Sequence, residues 1–406
     1  MPRIVVSERP ETILPIRKFI QERVLARLPR RASRYGYDIL RWWDRRAIGG
    51  DESGQPVAVL ATHDLSRSGA PWVVLEIATT LQAAGYAVTL VSMADGPMRD
   101  DFEAIGINVL IDCYPTVRKG YLARLAAVAD IAIANTVVTA PIVAAWAPHV
   151  VTAWYLHEIS LLEAMLADGS IAAPLAGATS IWAGSEMCAR IVRPVRPDVA
   201  VFPYGMAPIG APASPRAPGR YRIAVFGSIE PRKGQDFVVD AVVLLDDVLR
   251  RKVSIDFYGR VLDADFARAI KARAEPYRAI RFMGEVDRTA YLDALRGVDA
   301  VLVSSRDDTL PLVSIDALSA ERVLMLVPSV GTTAWLNDDV DSLIAQETSA
   351  KGIAGLIARA VESSDRASGM GMAARRVFDR EFSQAAFRTK LLTELDRASS
   401  GVGDDR

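Results

Sequence analysis

From Pro56 onward the chain alternates short apolar runs with stretches of helical spacing, and this alternation constrains the fold more than any other feature. "VAVLAT" (57–62), "AVTLVSM" (87–93), "INVLI" (107–111), "DIAIANT" (130–136), "VTAWYL" (151–156) and "SIWAGS" (180–185) read as strands. Each run is apolar on both faces. A half-solvated antiparallel strand would alternate, so these belong to a parallel sheet covered by helices on both sides. The expectation for residues 55–204 is a doubly wound α/β domain. "PYGMAPIGAPASPRAPG" (203–219) then breaks the pattern with Pro, Gly and Ala, which suits a linker over residues 205–220 better than a packed element. The alternation restarts with "RIAVFGS" (222–228), "VSIDFYG" (253–259), "RFMGEV" (281–286), "DAVLVSS" (299–305) and "VLMLVPS" (323–329), a second parallel sheet over residues 221–380. In residues 381–406, Phe382, Phe387, Leu391 and Leu395 recur at helical spacing, as in a helix laid across the domain junction, before a frayed "SSGVGDDR" tail. Two such domains joined by a hinge are expected to face each other across a central ligand cleft.

Composition narrows the function. A formal net charge of -1 on 406 residues leaves no electrostatic reason to expect nucleic acid as a partner. Cys113 and Cys188 have neither metal-ligand spacing nor a disulfide framework, as expected of a cytoplasmic protein. The long apolar stretch from Leu122 to Ala147 is interrupted by Arg124, Asp130 and Asn135, so it reads as helix plus strand and not as a membrane span. Residues 1–54 stand apart, because positions 1–50 hold eleven Arg and one Lys against five acids. Ile13, Ile16, Ile20, Val24 and Leu28 recur there at helical intervals, followed by Trp42 and Trp43. A basic amphipathic segment of this kind over residues 11–46 suits an anionic membrane surface, which would place the protein on the inner face of the cell membrane. Packing on the protein's own surface, or an oligomer contact, uses the same pattern.

Two places in the second half combine charge with strand ends. "VFGSIEPRKGQDF" is a strand, a glycine turn at Gly227 and Ser228, a basic pair at Arg232 and Lys233, then a helix; exposed amides beside two cations suit a diphosphate, and solvated loop charge is the plain alternative. "SSRDDTLPLVSIDAL" follows another strand, with Thr309 as a helix cap, Pro311 in the first turn and Asp316 about two turns in. Asp308 and Asp316 could accept hydrogen bonds from sugar or ribose hydroxyls; a loop acid and a salt-bridged acid are the alternative. "DAD" (263–265) and "DVD" (339–341) are read as solvated loops. "GMGMAA" (369–374) matches a dinucleotide fingerprint but lacks a preceding strand, so a glycine-interrupted helix entrance is expected.

The order "FGSIEPRKG" followed about eighty residues later by "SSRDDTLPLVSIDALSA" resembles the donor half of retaining GT4-type glycosyltransferases of the GT-B architecture. That family places a glutamate, seven residues and a second glutamate here, and Asp308 and Asp316 match the spacing. The resemblance implies that Asp308 contacts the transferred sugar, Asp316 the nucleotide ribose, and Lys233 the diphosphate. "LATHDLSRSGAPWVVLEIATTLQAAGYAVTLVS" is similar to the family's opening strand, loop and helix, which puts Gly69 and Ala70 at the cleft. "AWYLHEIS" resembles the segment carrying a cleft histidine, matched by His157 with Glu158 beside it, although a structural histidine fits the same spacing. "VPSVGTTAW" could bring Gly331, Thr332 and their amides to the donor phosphates. The likeness spans residues 56–395.

Three departures stand out: both acids are one methylene shorter than glutamate, Ser228 follows Gly227 where an arginine is common, and "TLPL" replaces a glycine-rich tract. The implied activity is transfer of a hexose or deoxyhexose from a nucleotide diphosphate sugar to a hydroxyl of a polysaccharide or lipid-linked glycan acceptor. Retention at the anomeric carbon is implied, with no cofactor and no required metal. A nucleotide-sugar epimerase of the same shape, or a degenerate relative acting as a membrane-associated scaffold, would share these motifs.

Overall fold

The apolar runs become strands where both of their faces are covered. The computed structural model describes residues 4–6, 48–50, 54–116, 119–210 and 219–400. Ile4–Val6 (β1) pairs antiparallel with Ile48–Gly50 (β2). The expected basic helix of residues 11–46 lies outside the described residues, as does the segment 211–218 of the proline-rich stretch.

Seven strands form the first large sheet: Val57–Thr62 (β3), Ala87–Ser92 (β4), Asn108–Ile111 (β5), Ile131–Asn135 (β6), Thr152–Leu156 (β7), Ser180–Ala183 (β8) and Ala200–Val201 (β9). Their order is β5-β4-β3-β6-β7-β8-β9, and every pairing is parallel. The chain therefore runs outward from β3 to β5, then returns to place β6 on the other side of β3. That reversal opens a crevice at the carboxyl ends of β3 and β6, where doubly wound sheets bind ligands. Trp146, Trp154 and Trp182 are fully buried in this domain. The stretch from Leu122 to Ala147 resolves into a helix Lys119–Ala126, strand β6 and a helix Ala140–Trp146. Among the described residues, no helix is long and apolar enough to cross a membrane.

The second sheet repeats the plan with six strands: Tyr221–Phe226 (β10), Val253–Tyr258 (β11), Ile280–Gly284 (β12), Ala300–Val303 (β13), Val323–Leu326 (β14) and Leu343–Ile344 (β15), in the order β12-β11-β10-β13-β14-β15. All pairings are again parallel. Here the reversal lies between β10 and β13. The "RKG" turn leaves β10 and the "RDD" turn leaves β13, so topology alone sets the two charged turns side by side. The short strands β9 and β15, two residues each, carry too little pattern to be read from sequence.

Contacts divide the described residues into two compact units. One extends to Gly184 and takes in Cys188–Phe202 and the chain from Arg388; the other comprises Ser185–Met187 and Pro203–Phe387. The start of the proline-rich stretch is not a free linker. Tyr204 and Ile209 are buried, the Met206 amide donates to the Phe382 carbonyl at 2.8 Å, and the Ile209 amide donates to Ser319 Oγ at 2.7 Å. Gly205 is needed there, because a Cβ would stand 2.3 Å from Phe387 Cβ. Packing overrides the composition signal wherever a loop carries such apolar anchors.

The final helix, Gln384–Ser400, buries Phe387, Leu391 and Leu395 as their spacing predicts. "GMGMAA" lies inside the helix Ala367–Val377, where a Cβ on Gly371 would meet the Glu321 carbonyl oxygen at 2.4 Å; its glycine serves close packing. "DVD" is not a solvated loop throughout: Asp341 is buried and accepts from the Asn337 amide at 2.8 Å.

Candidate active site

In the second domain β10 is followed directly by Gly227, whose φ of 146° is strained for a side-chain-bearing residue. The chain then turns through Pro231–Lys233 into the helix Gln235–Leu244. Gly234 closes that turn at φ 68°, and a Cβ there would lie 2.1 Å from the Ser304 carbonyl oxygen. The close approach of this turn to the end of β13 therefore depends on glycine. Arg306 fastens the two turns from the other side, pairing with Asp236 at 2.8 and 2.6 Å while its guanidinium stacks 3.8 Å over the Phe237 ring. Burial pushes the Asp236 carboxyl up, but the Arg306 hydrogen bonds and charge outweigh it and the net shift is downward.

The product of this clamp is a compact charged cluster. Lys233 Nζ lies 2.6 Å from Asp308 Oδ2, with Ser305 Oγ at 3.3 Å and Arg232 Nη1 at 3.8 Å from the same oxygen. Arg232 also donates to the Asp307 carbonyl at 3.0 Å, and Ser228 Oγ donates to Glu230 at 2.6 Å. The Gly331 amide donates to the Asp308 carbonyl at 2.8 Å, and a Cβ on Gly331 would stand 1.8 Å from the Thr309 carbonyl oxygen. Gly227, Ser228, Arg232, Lys233, Asp308 and Gly331 are thus brought together. Thr332 is not: it is fully buried, and its hydroxyl has no hydrogen-bond partner.

The helix after Asp308 starts later than its sequence implies. It spans Leu312–Ser319 with Pro311 at the cap position, so Thr309 does not cap it. An isolated parallel bridge between Asp308 and Val330 holds the backbone extended, which delays the first helical turn. Asp316 consequently sits just over one turn into the helix. It is buried, with Oδ2 accepting from Tyr291 Oη at 2.6 Å and from Arg288 Nη1 at 3.1 Å. Burial raises its carboxyl above the usual range, against the lowering pull of Arg288 and Tyr291.

The first domain gathers its polar residues at the crevice between β3 and β6, but with a different chemistry. His157 follows β7 and is held at 2.5 Å through Nε2 by Asn135 Oδ1, at the end of β6. Asn135 Nδ2 donates to the Ala70 carbonyl at 3.1 Å, inside the first turn of the helix Gly69–Ala83. Because the Ala70 carbonyl can only accept, the Asn135 amide must present its oxygen to the histidine. The proton of His157 is therefore on Nε2, and Nδ1 is an acceptor. Burial, with a smaller contribution from His63, lowers His157 from 6.5 to about 3. It is neutral at physiological pH.

Glu158 ties the loop together through backbone amides. It accepts from the Val137 amide at 3.1 Å through both oxygens and from the His157 amide at 3.0 Å. Burial raises its carboxyl, and the backbone hydrogen bonds oppose that shift. Thr136, between these residues, adopts φ 78°, a left-handed conformation that a β-branched residue takes only when its surroundings impose it. Its carbonyl is held at 2.8 Å by Trp154 Nε1.

With this geometry in place, comparison with known proteins is informative. Residues 54–162 match the model of glycosyl-transferase family 4, and residues 211–377 match that of glycosyl transferases group 1. The chain is a family 4 glycosyltransferase. It has the GT-B fold, and the solved structures that resemble it share that architecture. The Anabaena HepE protein in complex with UDP is 14% identical at a TM-score of 0.72, covering 84% of this chain and 100% of that one. A glycosyltransferase from Rickettsia africae is 13% identical at 0.71, covering 85% and 99%. Sucrose-phosphate synthase from Thermosynechococcus elongatus is 14% identical at 0.67, covering 86% and 100%. At such identities these neighbours speak to the fold alone. No curated protein matches the sequence.

Several residues of this glycosyltransferase site escape a reading of its motifs. Asn135 had a visible signal, since it is the one polar residue ending an otherwise apolar strand. His63, close enough to disfavour protonation of His157, directly follows β3. Arg288 and Tyr291 come from the helix Arg288–Gly297, whose sequence gives no sign of their link to Asp316. Arg306 and Asp236 are separated by seventy residues, and only the reversal of strand order joins them.

Proposed function

We propose that this enzyme moves a hexose or deoxyhexose from a nucleotide diphosphate sugar to a hydroxyl of a polysaccharide or lipid-linked glycan, with retention at the anomeric carbon. The observation that carries the reading is the 2.6 Å contact of Lys233 with Asp308 at the strand reversal, flanked by Arg232. Breaking the bond from the anomeric carbon to the diphosphate leaves negative charge on the phosphate oxygens. Lys233 and Arg232 are cations fixed by Asp308, Glu230 and the glycine turns, so they stabilise that charge without reorganising. Asp308 lies within reach of the same ligand and orients the sugar hydroxyls. Asp316 accepts from the ribose.

His157 enters as a neutral hydrogen-bonding group. With its ionisation depressed to about 3 it is a weak base, and its Nδ1 accepts a hydrogen bond from a hydroxyl of the sugar or of the acceptor. The departing diphosphate is the stronger base near the new bond and takes the acceptor's proton. Gly69 and Ala70 shape the neighbouring helix start, where the acceptor is expected. HepE has been solved with UDP-glucose, and the same ligand class suits a site in which cations and carboxylates alternate.

The test is transfer itself. Purified enzyme is screened for a melting-temperature rise against UDP-, GDP-, ADP- and dTDP-sugars, because a donor that binds only the native state raises it. The binding donor is then incubated with a glycan acceptor, and the product's anomeric configuration is read by NMR. Retained configuration supports the proposal; inverted product, or free epimerised sugar nucleotide without transfer, contradicts it.

A further inference from the structure

Asp316 is held in an unusual way for a carboxylate that serves only to stabilise the fold. Its side chain is 4% exposed, and both of its donors converge on Oδ2. Oδ1 is shielded from water and has no hydrogen-bond partner. A purely structural carboxylate in that position loses stability by leaving one oxygen unsatisfied. The two donors differ sharply. Tyr291 is half-buried, and desolvation of its hydroxyl followed by the charge of Asp316 lifts its phenol well above the usual value, so it stays protonated and donates. Arg288 is 60% exposed and lies 5.0 Å over the Tyr291 ring.

The cluster also adjoins both charged turns. Tyr291 packs edge-on against Phe226 at 4.8 Å, and Phe226 stacks on Tyr258 at 4.9 Å. Phe226 is the last residue of β10, directly before Gly227 and the Lys233 turn. Asp316 belongs to the helix entered from Asp308. The cluster is therefore joined through the backbone to both charged turns.

We propose that Tyr291 and Arg288 are positioning residues that occupy Asp316 Oδ2 and so reserve Oδ1 as the acceptor for a ribose hydroxyl of the donor. The proposal rests on the donor reading above. Tyr291 contributes a fixed donor from within the protein. Arg288 adds charge from the solvent side and favours the ionised form of Asp316 against the opposing effect of burial. The elements packed against this helix bring no competing charge near the carboxyl. Strands β13 and β14 are wholly apolar, Arg375 from the helix Ala367–Val377 donates to the Ile209 and Ser319 carbonyls while pairing with Asp379, and in the following segment Phe378–Phe382 Arg380 pairs with Glu381. Arg288 and Tyr291 are the groups that act on Asp316.

The sign follows directly. Removing the Tyr291 hydroxyl takes away one of the influences that lower the Asp316 carboxyl, so it protonates at higher pH and ceases to accept. Tyr291→Phe retains the ring against Phe226 and is expected to fold. Of UDP, GDP, ADP and dTDP, the one that raises the wild-type melting temperature most is titrated calorimetrically into wild type, Tyr291→Phe, Arg288→Met and Asp316→Asn from about pH 8.5 to about pH 5. The probe's own ionisation is common to all four proteins and cancels in the comparison.

The expected result is a Tyr291→Phe affinity within about threefold of wild type at the alkaline end, with the acid-side loss of affinity displaced upward by about one pH unit. Arg288→Met moves the same limb in the same direction by at least as much, because the Arg288 charge is the largest of the influences that lower the Asp316 carboxyl. Asp316→Asn binds roughly tenfold or more weakly throughout and lacks that limb. If Asp316→Asn is weakened while Tyr291→Phe and Arg288→Met follow the wild-type profile, the positioning role is wrong and the donor reading stands. If Asp316→Asn binds as wild type does, or none of the four diphosphates binds, the donor reading falls and this inference falls with it.

Discussion

The two domains share a plan and use it for opposite electrostatics. Each places its polar residues at the reversal of a parallel sheet, yet the second domain pairs full charges while the first, apart from Glu158 bonded to backbone amides, collects neutral dipoles. Lys233, Arg232, Asp308 and Glu230 form a connected ionic cluster. In the first domain Asn135, His157 and the Ala70 carbonyl form a chain of neutral hydrogen bonds, and burial keeps the histidine uncharged. A fold repeated twice supplies the location, and the loops leaving its strands decide the chemistry. Diphosphate departure needs fixed charge. Recognition of sugar hydroxyls needs fixed acceptors and donors.

The largest expected effect is at Lys233. Lys233→Ala removes the ammonium nearest Asp308 and should lower kcat/KM by roughly 100-fold or more, the scale of losing one preorganised charge-stabilising donor. Steady-state kinetics with the donor found by screening check this. Asp308→Asn keeps the shape and removes the charge; turnover should fall roughly tenfold or more while nucleoside diphosphate affinity changes less. A Kd that weakens as much as kcat would move Asp308 from the sugar to the phosphates.

Gly234→Ala probes the clamp between the two charged turns. A side chain at φ 68° with its Cβ 2.1 Å from a carbonyl oxygen should cost about 2 kcal/mol or more in chemical denaturation of the second domain. Activity should fall even where the variant is folded, because Lys233 precedes the glycine directly.

The effect expected at His157 is one of pH and is confined to acid conditions. Its folded value of about 3 lies below the ordinary 6.5, so the unfolded chain binds the extra proton. The contribution of neutral His157 to stability is full above pH 6.5 and is lost as pH falls toward 3, with a slope of at most about 1.4 kcal/mol per pH unit. His157→Gln should flatten that slope in denaturation curves, and His157 should show no NMR titration between pH 5 and 8 in wild type. A titration within that window would make the first domain's site charged and erase the contrast.

Most of the sheet architecture was legible because buried parallel strands must be apolar on both faces, and β3, β6, β7 and β14 declare themselves that way, whereas β10 and β11 carry Arg222 and the buried Asp256. The strand ends were harder. The Leu312–Ser319 helix was expected to begin at Thr309, but the backbone bridge from Asp308 to Val330 delays it, and no local propensity reports a bridge to a residue twenty-two positions on. The start of the proline-rich stretch looked like a linker because composition does not reveal that Tyr204 and Ile209 are anchored.

At the candidate site, the charged motifs and the family resemblance pointed to Lys233, Asp308, Asp316 and His157. It did not reach the residues that hold them, Arg306 with Asp236, Tyr291 with Arg288, and Asn135, since each acts across the fold. Glu158 illustrates the opposite error. Adjacent to His157 in sequence, it is spent on the Val137 and His157 amides.

The central claim is that nucleotide binding belongs to the ionic cluster of the second domain and not to the neutral site of the first. Isothermal titration of the tightest-binding nucleoside diphosphate into wild type, Lys233→Ala and His157→Gln tests it most directly. The account predicts that Lys233→Ala weakens Kd by roughly tenfold or more, as expected for losing a charge-assisted hydrogen bond, while His157→Gln stays within about twofold of wild type. Equal weakening in both variants, or an unchanged Kd in Lys233→Ala, would contradict it.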